Sequence, residues 1–242
     1  MTAHQAGWAR LRQVILVTDD IAADTAALRS AFGFGEGFHD PELGDYEMAD
    51  HTFTLADGTY LQLVASLNPQ DALARWAAKI GGRGGYALSI QHPDPAAVKA
   101  RAEALGVGVI RSQEALGYPI VQLHPRDTAI LLEADGIADP AVWFWDGLGD
   151  AARPSATAAV DATVAVEVAV DDPDRMGRLW HELLGLTLPA DPTVIDLGGY
   201  ELRFVGGGAS PQWTIVLRRA AGAADLPADV MPGVTFRYVD AS

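Results

Sequence analysis

Hydrophobic and polar residues alternate along short segments of this chain, and two of these segments begin copies of one motif. The first is Gln13-Val-Ile-Leu-Val-Thr-Asp-Asp20, and the helix-like stretch after it ends at Gly33. The second is Ala165-Val-Glu-Val-Ala-Val-Asp-Asp172, and its helix-like stretch ends at Gly185. In each segment, the alternation of hydrophobic and polar residues predicts a strand, the Asp-Asp pair predicts the start of a helix, and the glycine predicts its end. We infer an internal repeat, with the fold assembled from copies of one βαβββ unit.

The remaining pattern predicts four modules of this kind, the last one truncated. Asp57-Gly58 between two alternating runs predicts a hairpin in module one. The principal predicted elements are strands 13–18, 52–55 and 59–65 with helix 22–32, helix 68–80, strands 86–91, 107–111, 119–124 and 129–134 with helix 95–105, strands 164–170, 193–197 and 200–205 with helix 173–184, and strands 213–218 and 234–239. Together they predict an α+β protein.

Pairs of modules predict two domains. We place the first domain at residues 8–136, a linker at 137–160, and a second, reduced domain at 161–242. The linker contains Trp143-Phe-Trp145. We expect this aromatic cluster to pack as a strap on the surface rather than to line a ligand site.

Composition narrows the classes of function. The chain has 242 residues, of which 49% are hydrophobic, so a well-packed globular protein is expected. A net charge of −15 disfavours nucleic-acid binding; it either only keeps the surface soluble or attracts a cationic ligand. Without cysteine, disulfides and thiol nucleophiles are excluded. No window approaches the roughly 18 apolar residues of a membrane span, so a cytoplasmic location without membrane association is expected.

Four segments in order resemble the vicinal oxygen chelate superfamily, and its glyoxalase-like domain members in particular. They are Leu11-Arg-Gln-Val-Ile-Leu-Val-Thr-Asp-Asp20, Asp57-Gly-Thr-Tyr-Leu-Gln-Leu63, Gly85-Tyr-Ala-Leu-Ser-Ile90 and His124-Pro-Arg-Asp-Thr-Ala-Ile-Leu-Leu-Glu133. The resemblance implies that paired βαβββ modules form a curved mixed sheet, a bowl with helices on its convex side. It also implies an active site on the concave side.

Strand parity predicts which side chains face the concave side, because successive residues of a strand point to opposite faces. We assume that the bulkier apolar set of each strand packs on the helices. The inward residues are then Gln13, Ile15 and Val17; Tyr60, Gln62 and Val64; Ala87 and Ser89; and Ala129, Leu131 and Glu133.

The resemblance also implies four metal-ligand positions, which here hold Gln13, Gln62, Gly85 and Glu133. Gly85 offers no side chain where a histidine is usual. Two neutral amides and one carboxylate supply little charge and no imidazole for Zn²⁺, Ni²⁺ or Fe²⁺. The set is therefore either a degenerate site for a weakly bound divalent metal or a polar cluster without metal that bonds a ligand or water.

Histidines and one arginine supply further candidates. His39 and His51 either act at the bowl rim, as a general base or a replacement ligand, or only bond local backbone. His124-Pro-Arg-Asp127 resembles the segment that leads into the last strand of glyoxalase-like proteins. Arg126 there either binds a carboxylate or phosphate of the ligand or pairs with Asp127.

These observations favour a protein that binds a small organic molecule in the first bowl. The predicted ligand contacts are Gln13, Ile15, Val17, Tyr60, Ser89, Leu131, His124 and Arg126. One hypothesis is a lyase or isomerase in which Glu133 abstracts a proton next to a carbonyl while Gln13, Gln62 or a bound cation stabilises the enolate. The alternative is a non-catalytic binding or sequestering protein like the bleomycin-resistance relatives. A ring-cleaving dioxygenase ranks last, because the strand positions supply no imidazole. The sequence leaves open whether the chain is a monomer or a homodimer.

Overall fold

The computed structural model describes residues 8–207 and 212–241. Its elements in chain order are β1 (Arg10–Val17), α1 (Ile21–Phe32), β2 (Met48–Thr54), β3 (Tyr60–Ser66), α2 (Ala72–Lys79), β4 (Gly84–Gln91), α3 (Pro95–Ala104), β5 (Val109–Ala115), β6 (Tyr118–Leu123), α4 (Pro125–Thr128), β7 (Leu131–Asp135), β8 (Val160–Val170), α5 (Pro173–Leu184), β9 (Val194–Asp196), β10 (Glu201–Gly206), β11 (Trp213–Arg219) and β12 (Val234–Val239). Single 3₁₀ segments occur at Leu43–Tyr46 and Asp146–Ala152. No helix in the described part of the chain has the length and apolar character that crossing a membrane requires.

The strands form two mixed sheets. A seven-stranded sheet has the order β2-β3-β1-β4-β7-β6-β5, and a five-stranded sheet has the order β12-β11-β8-β10-β9. Strands β1 and β3 pair in parallel, as do β4 and β7, whereas the hairpins β2–β3 and β5–β6 are antiparallel. Each parallel pair is joined through a helix, as a parallel connection requires. The predicted α+β fold is confirmed.

Helix boundaries follow the predicted start and stop residues. Asp20 accepts a hydrogen bond from the Ala23 backbone N–H and begins α1, and Gly33 ends it in the left-handed conformation. Asp172 and Gly185 play the same parts for α5. A carboxylate N-cap satisfies a free N–H of the first turn, and glycine takes the left-handed conformation without a side-chain clash.

The segment before β7 differs from the prediction. Residues 125–128 form the short helix α4, and Ala129 follows it with a φ of 67°. Strand β7 therefore begins only at Leu131. Ala129 is not a strand residue, so its assignment to the last strand is wrong, and its predicted inward position stays a prediction. The short helix begins at Pro125, and proline suits the first position of a helix.

Contacts divide the chain into two compact units, each built from separated segments. Unit 1 comprises the described residues of Met1–Arg12, Ala87–Phe144 and Val168–Pro211. Unit 2 comprises those of Gln13–Tyr86, Trp145–Glu167 and Gln212–Ser242. The domain boundaries inferred from the sequence stay a prediction.

Two of the three aromatic residues of the linker are buried rather than laid on the surface, so the expected surface strap is wrong for them. Trp143 is 3% exposed and Trp145 is 1% exposed. In unit 1, the buried Gln91 side chain donates hydrogen bonds to the carbonyls of Ile137, Asp139 and Val142. The Arg12 guanidinium donates to Gln91 Oε1 at 2.7 Å and lies over the Trp143 ring. Backbone carbonyls of the linker are thus paired with buried polar side chains, as burial requires.

Candidate functional site

Strand register builds one face of unit 2. Strand β1 pairs with β3 so that Ile15 lies opposite Gln62, and β2 pairs with β3 so that Thr52 also lies opposite Gln62. Directly paired residues point to the same side of a sheet. The Gln62 face therefore consists of Gln13, Ile15, Val17, Asp50, Thr52, Tyr60, Gln62 and Val64. The predicted parity of β1 and β3 is confirmed.

Helix α1 packs on the opposite side of these strands. Phe53 pairs with Leu61, one position out of phase with Gln62. Its ring stacks on Phe34 at 4.8 Å between centroids, and Phe34 in turn meets Phe32 of α1 at 5.4 Å. The Gln62 face is thus turned away from α1.

Aromatic side chains cover the Tyr60 end of the Gln62 face. The Trp145 ring meets Tyr60 edge-on at 4.7 Å and Phe38 at 5.0 Å. Tyr60 is 5% exposed. Edge-to-face packing of this kind is a stabilising core contact. Tyr60, predicted to be a ligand contact, lies in an aromatic core.

The opposite end of the face receives a loop that brings His39 to Asp50. Phe38 and Thr52 exchange backbone hydrogen bonds of 3.0 and 2.8 Å, so residue 38 pairs with the edge strand β2. Gly37 precedes this bridge with a φ of 69°, and a Cβ there would lie 2.6 Å from the Thr52 carbonyl oxygen. Glycine is required for this approach, because any side chain would separate the loop from β2.

The Asp50 carboxylate organises the loop. Asp50 is 5% exposed, and its Oδ2 accepts the backbone N–H of Asp40 at 2.8 Å. Longer contacts of 3.4 Å come from the Gln62 amide and the Thr52 hydroxyl. Gln62 itself is 2% exposed. Burial is the main cause that raises the pKa of the Asp50 carboxyl, whereas the hydrogen bonds from Asp40 and Gln62 lower it.

The His39 ring is held in one orientation beside Asp50. Its Nδ1 lies 2.5 Å from the Asp50 carbonyl oxygen and 3.8 Å from the carboxylate Oδ1. A carbonyl oxygen only accepts hydrogen bonds, so a neutral His39 carries its proton on Nδ1, and Nε2 is the acceptor. The His39 side chain is 72% exposed, so this acceptor is accessible.

An open cavity of about 590 Å³ lies beside this pair. Its lining includes Ile21 of α1, His39, Asp40, Met48, Asp50 and His51, so the cavity lies at the β2 edge beside α1 and shares only Asp50 with the residues given above for the Gln62 face. Burial, with repulsion from Asp50, raises the pKa of Asp40 to about 6. Burial also lowers the pKa of His51, whose ring meets His39 edge-on at 5.2 Å. We call this space the Asp50 cavity; its volume suits a small organic molecule.

Predicted contacts on β4 and β7 belong to unit 1. Ala87 pairs with Leu131, and Ser89 pairs with Glu133, so their predicted common face is confirmed. The buried Ser89 hydroxyl donates to Asp135 Oδ2 at 2.5 Å. The Glu133 carboxylate accepts a hydrogen bond from Gln122, which lies opposite it on β6. The proposed joint action of Glu133 and Gln62 stays a prediction.

His124 and Arg126 have local structural partners. His124 Nδ1 accepts the backbone N–H of Arg126 at 3.1 Å and caps α4. The exposed Arg126 guanidinium pairs with Asp127 at 3.2 Å. Asp127 in turn accepts the Gly108 N–H at 2.9 Å. These contacts agree with the structural alternative for Arg126, and a ligand contact at either residue stays a prediction.

The residues at the predicted metal positions do not fit a divalent cation. A Cβ on Gly85 would lie 1.9 Å from the Trp213 ring, so no side chain can occupy that position. In unit 2, the set leaves the two neutral amides of Gln13 and Gln62, and the second already bonds Asp50. Within residues 8–207 and 212–241, no group of three or more His, Asp or Glu side chains is arranged to hold a metal ion. We therefore derive no step through a metal.

Sequence reasoning missed Asp50. A usable signal was present, since Asp50 and Thr52 share the strand parity that faces away from Phe53. Burying a carboxylate on that face of the strand costs free energy unless hydrogen bonds compensate for it. A carboxylate there therefore indicates a polar site with hydrogen-bond donors.

Comparisons with known proteins bear on the fold. No family model matches this sequence, and no curated protein matches it. The crystal structure of a hypothetical protein from Staphylococcus aureus aligns over 96% of this chain and 99% of its own, with a TM-score of 0.63 and 12% identity. This likeness shows the fold alone.

Two methylmalonyl-CoA epimerase structures align with about half of the chain. The Mycobacterium tuberculosis protein covers 52% of this chain and 86% of its own, with 19% identity and a TM-score of 0.45. A Streptomyces coelicolor variant in complex with 2-nitronate-propionyl-CoA covers 52% and 95%, with 24% identity and a TM-score of 0.44. The strand order and helix positions of this chain are those of an α+β fold with two mixed sheets.

Proposed function

We propose that this glyoxalase-like protein binds a small organic molecule in the Asp50 cavity and moves a proton next to a carbonyl group. The observation that carries the proposal is the orientation of His39, whose Nδ1 lies 2.5 Å from the Asp50 carbonyl oxygen. An accessible imidazole held in one tautomer by a buried group is a common form of general base. The reaction class is that of a lyase or isomerase.

In the proposed reaction, His39 acts as the base and Asp40 acts as the acid. His39 Nε2 takes the proton from the substrate carbon, and the electron pair of the broken C–H bond forms the enolate. The Asp50 carboxylate, 3.8 Å from Nδ1, stabilises the imidazolium that results. Asp40, with a pKa of about 6, can donate a proton toward the enolate oxygen near neutral pH. Reprotonation of the carbon on its other face by solvent, with the enol proton returning to Asp40 and the imidazolium proton passing to solvent, completes an isomerisation.

Gln62 has a positioning role in this proposal. Its amide contacts Asp50 Oδ2, as does the Asp40 backbone N–H. Loss of the amide would leave a buried carboxylate with fewer donors, and Asp50 would shift. The predicted role of Glu133 as the base stays a separate hypothesis, and one assay can test both.

A second candidate function is binding without chemistry. Two carboxylates, Asp40 and Asp50, line the cavity of a chain whose net charge is −15. Acidic walls favour a cationic ligand. Sequestration requires the cavity, but it does not require the Nδ1-protonated tautomer of His39. Substitution of His39 therefore distinguishes the two functions experimentally.

Proton exchange at carbon tests the enzymatic proposal. Wild-type protein in D₂O, mixed with a panel of small β-keto acids, β-keto esters and 2-substituted malonate thioesters, should accelerate loss of the α-proton signal in ¹H NMR. His39→Asn should reduce that rate by a factor of about 100 or more, the usual contribution of a general base. Gln62→Ala should have a smaller effect through Asp50.

Glu133→Gln in the same assay tests the earlier assignment. Unchanged exchange in His39→Asn, with loss in Glu133→Gln, would transfer the role of base to Glu133. His124→Asn, in which asparagine can still cap α4, tests the predicted contact at that histidine. Tight binding of a cationic compound with no exchange by the wild type would favour sequestration.

A further inference from the structure

Unit 1 contains a second cavity, distant in sequence from the Asp50 cavity. It measures about 560 Å³, and its lining includes His181 of α5, Asp191, Val194 of β9, Asp196 and Glu201 of β10. We call it the His181 cavity. Gly177 helps to build it, because a Cβ there would lie 2.0 Å from the Pro192 carbonyl oxygen. The absence of a side chain lets the segment before β9 approach α5.

His181 has one nitrogen engaged and one without a partner. The residue is 4% exposed, and its Nε2 lies 3.3 Å from the Val194 carbonyl oxygen. That carbonyl can only accept, so Nε2 carries the proton and Nδ1 is an acceptor. Nδ1 is buried and has no hydrogen-bond partner among residues 8–207 and 212–241. Burial lowers the pKa of His181, which keeps the ring neutral at pH 7.

The charged groups around this cavity are also acceptors. Asp191 accepts hydrogen bonds from the Thr193 backbone and hydroxyl, and Asp196 accepts the Gly199 N–H. Glu201 pairs with Arg203 at 2.5 Å. The pKa of Asp191 is lowered by its hydrogen bonds to Thr193, so this carboxylate is ionised at neutral pH. Carboxylates and a neutral imidazole nitrogen together call for a ligand that donates hydrogen bonds and carries positive charge.

A metal ion is not the ligand that this arrangement suits. Within the described residues, no three His, Asp or Glu side chains are placed so that they could coordinate one metal ion. Dispersed acceptors around about 560 Å³ suit a larger organic cation, whose several N–H donors can reach separate walls.

We propose that the His181 cavity binds a small organic ammonium ion, with N–H donors directed to His181 Nδ1 and to the carboxylates of Asp191 and Asp196. The site is independent of the proton chemistry assigned to His39.

Calorimetric titration with 1,4-diaminobutane at low ionic strength tests this proposal. The wild type should bind the diamine and should not bind the neutral 1,4-butanediol. Asp191→Asn combined with Asp196→Asn should weaken diamine binding at least tenfold, while the asparagine oxygens can keep the local hydrogen bonds. Glu103→Gln combined with Glu114→Gln removes the same charge from exposed positions outside the lining and should change affinity less than twofold.

Long-range ¹H–¹⁵N NMR of the His181 ring supplies the second readout. Addition of the diamine should shift the Nδ1 resonance of the wild type as it gains a donor. Equal losses of affinity in both double variants, binding of the diol as tightly as the diamine, or an Nδ1 resonance that does not move would each overturn the proposal. None of these readouts depends on activity at His39.

Discussion

The packing around Gly85 leaves no room for a side chain at that position. A Cβ at Gly85 would lie 1.9 Å from the indole ring of Trp213, which is 2% exposed. The space that a side chain at residue 85 would need is therefore filled by a core aromatic side chain. Any side chain at residue 85 must displace a large ring in a close-packed interior.

We expect Gly85→Ala to destabilise the protein by about 1–3 kcal/mol, because overpacking forces the Trp213 ring and its neighbours to move. Urea unfolding monitored by circular dichroism measures the change. Gly147→Ala is the matched control, since nothing lies within 4 Å of a Cβ there. Adding Trp213→Leu to Gly85→Ala should recover part of the loss. Equal stability of Gly85→Ala and the wild type would contradict this packing.

At the scale of elements, one buried histidine joins two helices of unit 1. His92 is 2% exposed and follows β4. Its Nδ1 accepts the Asp94 backbone N–H at the start of α3, and its Nε2 donates to the Leu184 carbonyl at the end of α5, each at 3.0 Å. Both ring nitrogens are satisfied only in the neutral form. Burial lowers the pKa of His92, in agreement with this arrangement.

This contact predicts a pH-dependent part of stability. Because the pKa is lower in the folded protein, the unfolded chain binds the proton more readily below about pH 6.5, the ordinary histidine pKa. The contribution is complete above that pH and is lost as the pH falls below it. The stability advantage of the wild type over His92→Gln should shrink by about 1 kcal/mol between pH 7.5 and 5.5. Urea unfolding at both values measures it, and a constant difference would refute the prediction.

Elements could be predicted where their signals are local. Asp172 and Gly185 bound α5 because an N-cap and a left-handed stop depend on neighbouring residues only. The short helix over residues 125–128 was not predicted, since its proline and polar residues fit a turn as well as a helix start. The alternation of side-chain directions along β1 and β3 was also predictable from the sequence. It correctly placed Gln62 on the face turned away from α1.

At the scale of the whole molecule, the decisive contacts join segments that are far apart in the chain. Unit 2 gathers Gln13–Tyr86 with Trp145–Glu167 and Gln212–Ser242. Trp145 consequently reaches Tyr60, and Trp213 reaches Gly85. No local sequence pattern indicates such distant partners. The sequence could therefore predict which residues of β1 and β3 share the Gln62 face, but not which side chains cover that face. The pairing of His39 with Asp50 was missed for a different reason, because it depends on the bridge between Phe38 and Thr52 that brings the loop to β2.

The tautomer of His39 tests the central claim most directly, because its measurement needs no substrate. Long-range ¹H–¹⁵N NMR at neutral pH should show the proton of the neutral His39 ring on Nδ1, with Nε2 unprotonated, as the 2.5 Å contact with the Asp50 carbonyl requires. Gly37→Ala, which separates the loop from β2, should abolish that preference. A wild-type ring protonated on Nε2 would contradict the proposed base and the chemistry assigned to the Asp50 cavity.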